Sequence, residues 1–205
     1  MAFVLRAFAN GADGVFIGGC WLGECHYVTE GNYDALSMMH LSRKVLEQVG
    51  INPERLRLEW ISGSEGMRYA EVMNDFGKKL KELGPIGVGE GISTAGLKLK
   101  FQAVKKILPY LKLVERERLR VRYKTEEEYN EFFSSDEVNR LIGELVAEKL
   151  AISQITTLLG KNPLSTREMS EVLHMDPSDV ARYLNSSARQ GLVRYDAVQK
   201  QYAIA

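Results

Sequence analysis

The stretch Val15–Tyr27, V-F-I-G-G-C-W-L-G-E-C-H-Y, decides the fold. Val15-Phe16-Ile17 is short, apolar and β-prone, so it reads as a buried strand. Gly18-Gly19 lets the backbone turn sharply and approach another group closely. Cys20 and Cys25, the two cysteines of the chain, and His26, one of three histidines, then fall in a loop just past the carboxyl end of that strand. In open parallel α/β sheets, that is where ligands and cofactors sit.

The sequence on either side supports a parallel unit. Residues 2–10 place Phe3, Val4, Ala7 and Phe8 on one helical face, and Asn10-Gly11 is a helix stop. After the cysteine loop, which extends to about residue 30, Gly31 to Val49 reads as a helix ended by Gly50. Ile51–Glu54 is a turn, and Leu56–Ile61 (L-R-L-E-W-I) alternates as a strand. Ser62-Gly63-Ser64 closes it and opens a helix of about residues 65–83, with Met67, Tyr69, Ala70, Val72, Met73, Phe76 and Leu80 as core candidates. The order helix, strand, helix, strand, helix predicts a parallel α/β domain over residues 1–84. Two parallel strands make a poor sheet by themselves. The domain is therefore read as partial, completed by another chain or by a segment preceding this sequence.

Pro85–Gly91 is glycine-rich and reads as a turn-forming linker. Residues 98–124 are strongly basic, and the stretch from Glu126 to Glu137 is acidic. Solvated helix faces explain such blocks, as does pairing with complementary partner surfaces. Apolar residues recur through both, so residues 85–144 are expected to be a charged, mostly helical linker. The last part, residues 145–205, is a different module. A helix over Leu145–Leu159 is followed by one capped by Ser165 with Glu168 three residues on. In that second helix Met169, Val172 and Leu173 are expected to face inward. A third helix begins at Asp176-Pro177 and carries Val180, Tyr183 and Leu184. Leu192–Tyr195 and Gln201–Ile204 can pair as a hairpin. Three helices closed by a two-stranded wing resemble a winged-helix domain.

Composition narrows the function classes. The sequence is 45% hydrophobic and 26% charged with zero formal net charge, so nothing in the overall balance pulls it toward nucleic acid or an anionic membrane. No apolar run approaches the roughly 20 residues that span a bilayer, and no secretory signal is read at the start. The expected location is cytoplasmic. Two cysteines do not make a disulfide scaffold, and a cytosolic chain uses such a pair for metal or redox chemistry. Thiolates suit zinc and iron–sulfur clusters, and a C-x4-C pair occurs among [2Fe–2S] ligands. Gly23 in the intervening loop lets both sulfurs turn toward one centre. Inert buried thiols and a redox-active thiol pair also fit that spacing. His26 could be a third ligand but reads first as a hydrogen-bonding or surface residue, and His40 and His174 have no metal-ligand companion. There is no Walker loop, dinucleotide fingerprint, nucleophile elbow or zinc-protease helix.

The separated motifs A-F-V-L-R-A-F-A-N-G-A-D-G-V-F-I-G-G-C-W-L-G-E-C-H-Y, Gly31-Asn32-Tyr33, Ile51–Ser62 and Ser64–Val72, in that order, resemble the delta, iron–sulfur subunit of methyl-viologen-reducing hydrogenase over residues 2 to about 84. The resemblance implies an electron-transfer subunit that carries a [2Fe–2S] cluster, with Cys20 and Cys25 as ligands or close neighbours of the cluster. It implies hydrogenase or formate dehydrogenase subunits and heterodisulfide reductase subunits as partners, in an electron-bifurcating complex. Trp21, Leu22 and Tyr27 would then wall the cluster from water. Family members have further cysteines in a segment before the part seen here, so a separate small chain supplying strands and ligands is a further expected partner. Two other classes compete. One is a redox-sensing winged-helix DNA-binding regulator using Arg182, Arg189 and Arg194, against which stand the two acids of Asp176-Pro177-Ser178-Asp179. The other is a docking scaffold without a cofactor.

Overall fold

The computed structural model describes residues 1–27 and 31–205. The chain forms α1 (Ala2–Ala9), β1 (Val15–Gly19), α2 (Asn32–Val49), β2 (Leu56–Trp60), α3 (Gly66–Leu83), α4 (Thr94–Val114), α5 (Glu126–Ser134), α6 (Asp136–Ile142), α7 (Glu148–Leu159), α8 (Thr166–Leu173), α9 (Pro177–Arg189), β3 (Val193–Asp196) and β4 (Gln201–Ile204). It is a mixed α/β fold, mostly helical, with a small parallel sheet near its start. β1 and β2 run parallel in the register Val15↔Leu56 through Gly19↔Trp60, with α2 as the crossover between them.

The alternation along L-R-L-E-W assigns the two faces of this sheet. Leu56, Leu58 and Trp60 join Val15 and Ile17 against the main hydrophobic cluster, where Val4, Leu5 and Phe8 of α1 and Leu36, Leu46 and Val49 of α2 lie. Phe3, placed with Val4 and Phe8 by periodicity, instead faces solvent. Arg57 and Glu59 point away from the cluster, onto α3, where Arg57 pairs with Asp75 and Arg68 with Glu59. Phe16 meets Phe76 and Tyr69 on the same side. Because α3 rests on this charged and aromatic face, Phe76 is the single fully buried residue of the helix, while Met67 is 82% and Tyr69 50% exposed. The amphipathic pattern of α3 identified the helix correctly but overstated its burial.

After the turns of Pro85–Gly91 the chain is mostly helical from Thr94 to Ile142, and its apolar positions enter the same cluster as the parallel unit. Phe101, Val104, Ile107 and Leu111 of α4, Tyr129 and Phe133 of α5, and Val138 and Ile142 of α6 are all buried there. Phe8 and Phe101 stack at 6.4 Å. The glycine run Pro85–Gly91 is held against the start of β2 by Arg55, which is 0% exposed. Its guanidinium donates to Glu90 Oε1 at 2.6 Å and to the carbonyls of Asp13, Leu83 and Gly84 at 2.8–3.1 Å. Glycine is required at position 89 by this packing: a Cβ there would lie 2.0 Å from the Leu83 carbonyl oxygen.

A second cluster joins Leu99 of α4 to Ile155, Leu159, Met169, Leu173, Val180, Leu184 and Val193. Three helices, α7 to α9, are closed here by the antiparallel pair β3–β4. Ser165 and Glu168 form the expected reciprocal cap, and His174 makes the turn with φ +52°. Val172, expected inside, is 49% exposed. Among the described residues, no helix is long and apolar enough to cross a membrane.

Candidate functional site

The site is built on the carboxyl end of β1. The strand continues through both glycines, so they do not form the turn expected of them. Gly19 is needed for close approach: a Cβ would stand 2.9 Å from the Trp60 ring. The turn comes later, where Glu24 N–H bonds the Trp21 carbonyl at 3.0 Å and Gly23 takes φ +85°, which glycine adopts without a Cβ penalty. The loop's last residues, 28–30, lie outside the described residues.

The loop carries both sulfurs within six residues of the strand end. Cys20 is exposed and Cys25 half-buried, and neither is in a disulfide. The neighbouring Cys25 thiol, then burial, pushes the Cys20 thiol above its ordinary pKa. Cys25 is shifted the other way. The backbone N–H of Asn32 is the chief cause, then that of Tyr27, then the Cys20 thiol, and together they hold its pKa down. Two N–H groups aimed at one sulfur, one of them at the start of a helix, favour the thiolate, which is the ligand form of cysteine. Gly31 leaves room for it: with φ +121°, it would place a Cβ 2.8 Å from the Cys25 sulfur.

Asn32 holds the other end of the loop. This residue is 5% exposed, and its amide donates to the Trp21 carbonyl at 2.7 Å and the Cys20 carbonyl at 3.2 Å. Trp21 is further fixed by its indole N–H, which donates to Glu65 at 2.9 Å, and by the Arg68 guanidinium, 5.1 Å from its ring centre. Glu65 also accepts Ser62 N–H at 2.6 Å. These bonds, the Ser62 N–H first and the Trp21 indole second, keep the Glu65 carboxyl below the usual carboxylate range. Trp21 and Leu22 pack against the main cluster. Tyr27, expected to shield the site with them, is 68% exposed and touches His26 edge-on.

The other histidines lie elsewhere: His40 stacks on Phe133 at 4.8 Å, and His174 caps α8. Among the described residues, no three His, Cys, Asp or Glu side chains converge on one point. The donor set is thus two soft sulfurs, which fit two corners of a sulfur-ligated metal or cluster site and leave the other corners to groups outside the described residues. Asn32, Gly31 and Glu65 were missed as site residues in the sequence, although Gly31-Asn32 directly before a helix is a visible signal of a helix start.

Residues 1–84 match the family methyl-viologen-reducing hydrogenase, delta subunit. Within this region the chain is 58% identical over 83 residues to an iron-sulfur subunit of the F420-non-reducing hydrogenase of Archaeoglobus profundus, covering 40% of this chain and 60% of that protein. It is 46% identical over 89 residues to the vhc iron-sulfur subunit of the F420-non-reducing hydrogenase of Methanococcus voltae, covering 43% of this chain and 61% of that one. It is also 48% identical over 85 residues to one subunit of the ferredoxin/F420H2-dependent CoB-CoM heterodisulfide reductase of Methanosarcina acetivorans, where the match covers 42% of this chain and 11% of the relative. The chain therefore spans less than two thirds of each of these relatives. Both cysteines and the residues that hold them lie inside the matched delta-subunit region, and everything from α4 onward lies outside it.

Proposed function

We propose that this chain is an electron-transfer subunit in which Cys20 and Cys25 supply two sulfur ligands to a [2Fe–2S] cluster. The single observation that carries the reading is the placement of Cys20 and Cys25 in one short loop at the end of β1, where Asn32 holds the Cys20 carbonyl at 3.2 Å and a Cβ on Gly31 would stand 2.8 Å from the Cys25 sulfur. The iron–sulfur names of the hydrogenase relatives support it. The cluster supplies one-electron chemistry when bound. The residues of this chain hold two thiolates, donate hydrogen bonds to one of them, and cover one side with Trp21 and Leu22. Hydrogen bonds to ligand sulfur and burial are the protein's means of setting a cluster's potential.

The partners we infer are subunits of a hydrogenase or formate dehydrogenase on one side and of a heterodisulfide reductase on the other, within a cytoplasmic electron-bifurcating complex. Among the described residues, the parallel sheet has two strands and so two open edges. A third strand on another polypeptide or segment would complete it and bring the remaining ligands. We read residues 145–205 as a winged-helix-like domain used for docking, joined to the 1–84 domain by the helical region between them. A DNA-reading role is less well supported, since Arg182 on α9 is bound to Asp179 at 2.8 Å and lies over Tyr183.

Anaerobic reconstitution of the chain with its partner subunits tests the reading. Iron and sulfide bound to this subunit, with visible charge-transfer absorption, is the expected result. Both are expected to be lost in Cys20→Ser and Cys25→Ser. Full iron loading in the double variant would overturn it.

A further inference from the structure

Asn32 stands where the two ends of the sulfur loop come together. It follows directly on Gly31, where a Cβ would stand 2.8 Å from the Cys25 sulfur, and its side-chain amide donates to the carbonyls of Cys20 and Trp21 at 3.2 and 2.7 Å. Those are both protons of the NH2 group, spent on two successive carbonyls. The residue is buried, and it is the first residue of an 18-residue helix whose far end is anchored in the core through Leu46 and Val49.

We propose that Asn32 is the positioning residue of this site: it sets the separation of the two sulfurs by tying the Cys20 end of the loop to the rigid helix start that lies against the Cys25 sulfur. The proposal rests on the metal-binding reading of Cys20 and Cys25. The segment between the two ligands has many conformations, and holding it in one lowers the entropy lost when a metal binds. No other described side chain is bonded to both Cys20 and Trp21 carbonyls, and Glu65 and Arg68 act on the Trp21 ring alone.

The chemistry of the amide makes the role testable. Aspartate has the shape of asparagine and is equally at home at a helix start. It has no proton to donate, however, and would set a carboxylate against two carbonyl oxygens. Asn32→Asp keeps the backbone N–H of residue 32, removes the carbonyl ties and adds a negative charge beside the thiols, so the neutral Asn32→Ser separates loss of the ties from the effect of charge.

The probe is Cd²⁺ alone, added to the reduced full chain and followed by thiolate-to-metal charge-transfer absorption, with thermal unfolding measured on the same samples. Removing an outer partner of a metal ligand typically costs about 10- to 100-fold in metal affinity. Asn32→Asp is expected to lose affinity in that range while still unfolding cooperatively. Asn32→Ser, which can tie one carbonyl, is expected to fall between it and the parent, and it serves as the test if the aspartate variant does not fold. Parent-like Cd²⁺ affinity in a folded variant would overturn the role of Asn32. Failure of the parent chain to take up iron with its partners, with the Cd²⁺ difference intact, would overturn the cluster reading and leave the positioning role standing.

Discussion

Arg55 and Glu90 form an ion pair of 2.6 Å in which the guanidinium is wholly buried and the carboxylate is 10% exposed. Glu90 also accepts the backbone N–H groups of Asn52 and Gly87. Burial pushes the Glu90 carboxyl up, and Arg55 with these two N–H groups outweighs it, so its pKa is held below the usual value. The pair ties the glycine run after α3 to the turn that starts β2. Removing one partner of such a pair leaves an uncompensated buried charge. Arg55→Ala is expected to cost about 3–5 kcal/mol in urea unfolding, and the stabilisation from Glu90 is expected to be present above the ordinary carboxylate pKa and lost as pH falls through the lower folded-state value.

Gly89 tests the same junction by sterics alone. Its Cβ would be 2.0 Å from the Leu83 carbonyl oxygen and 2.9 Å from the Arg55 guanidinium. Gly89→Ala is expected to destabilise by about 1–3 kcal/mol or more, seen as a lower urea midpoint. Gly91→Ala is expected to cost about 1 kcal/mol, from its φ of +67° with open space around it.

At the sulfur pair, Gly31→Ala would put a methyl group 2.8 Å from Cys25 Sγ on a backbone with φ +121°. Backbone strain of about 1–3 kcal/mol is expected. Displacement of the sulfur should also weaken Cd²⁺ binding by about 10-fold or more, read by the same absorption titration.

His40 predicts a separate acid sensitivity. Burial, then Arg43 and Lys44, lowers its pKa from 6.5 to about 4. The unfolded chain binds the proton more readily, so the stability due to neutral His40 is fully present above pH 6.5 and lost as pH falls toward 4. Its partial exposure screens the effect, leaving about 2 kcal/mol across that window. Urea unfolding at about pH 7 and about pH 5, on either side of the ordinary histidine pKa, is expected to show the loss in the parent and a smaller one in His40→Phe.

In the C-terminal unit, Ser165→Ala removes the acceptor for Glu168 N–H and one side of a reciprocal cap. A loss of about 1 kcal/mol is expected, with faster amide exchange confined to the start of α8.

Much of the fold was legible along the chain because its signals are local. The strand Val15-Phe16-Ile17, the alternation of L-R-L-E-W, the Ser165–Glu168 box and Asp176-Pro177 each act within a few residues, and each element forms where its signal stands. The two cysteines could be placed past a strand end for the same reason. Burial was less legible. Periodicity marks the apolar face of α3, but it does not say that the opposing sheet face carries Arg57 and Glu59. The glycines of 85–91 look alike in sequence, whether they form a loose connection or lie against a carbonyl.

The amino-acid order by itself determined which segments are helix or strand and that two thiols share one short loop, since hydrogen-bonding partners and turn residues there are sequence neighbours. Only the tertiary structure decided how that loop is held. Its hold depends on Asn32, eleven residues beyond Trp21, on Gly31 leaving space at Cys25, and on Glu65, forty-four residues away, bonding the Trp21 indole. Such contacts are made by the packing of α2 and α3 around the sheet, and no local rule of the chain encodes them.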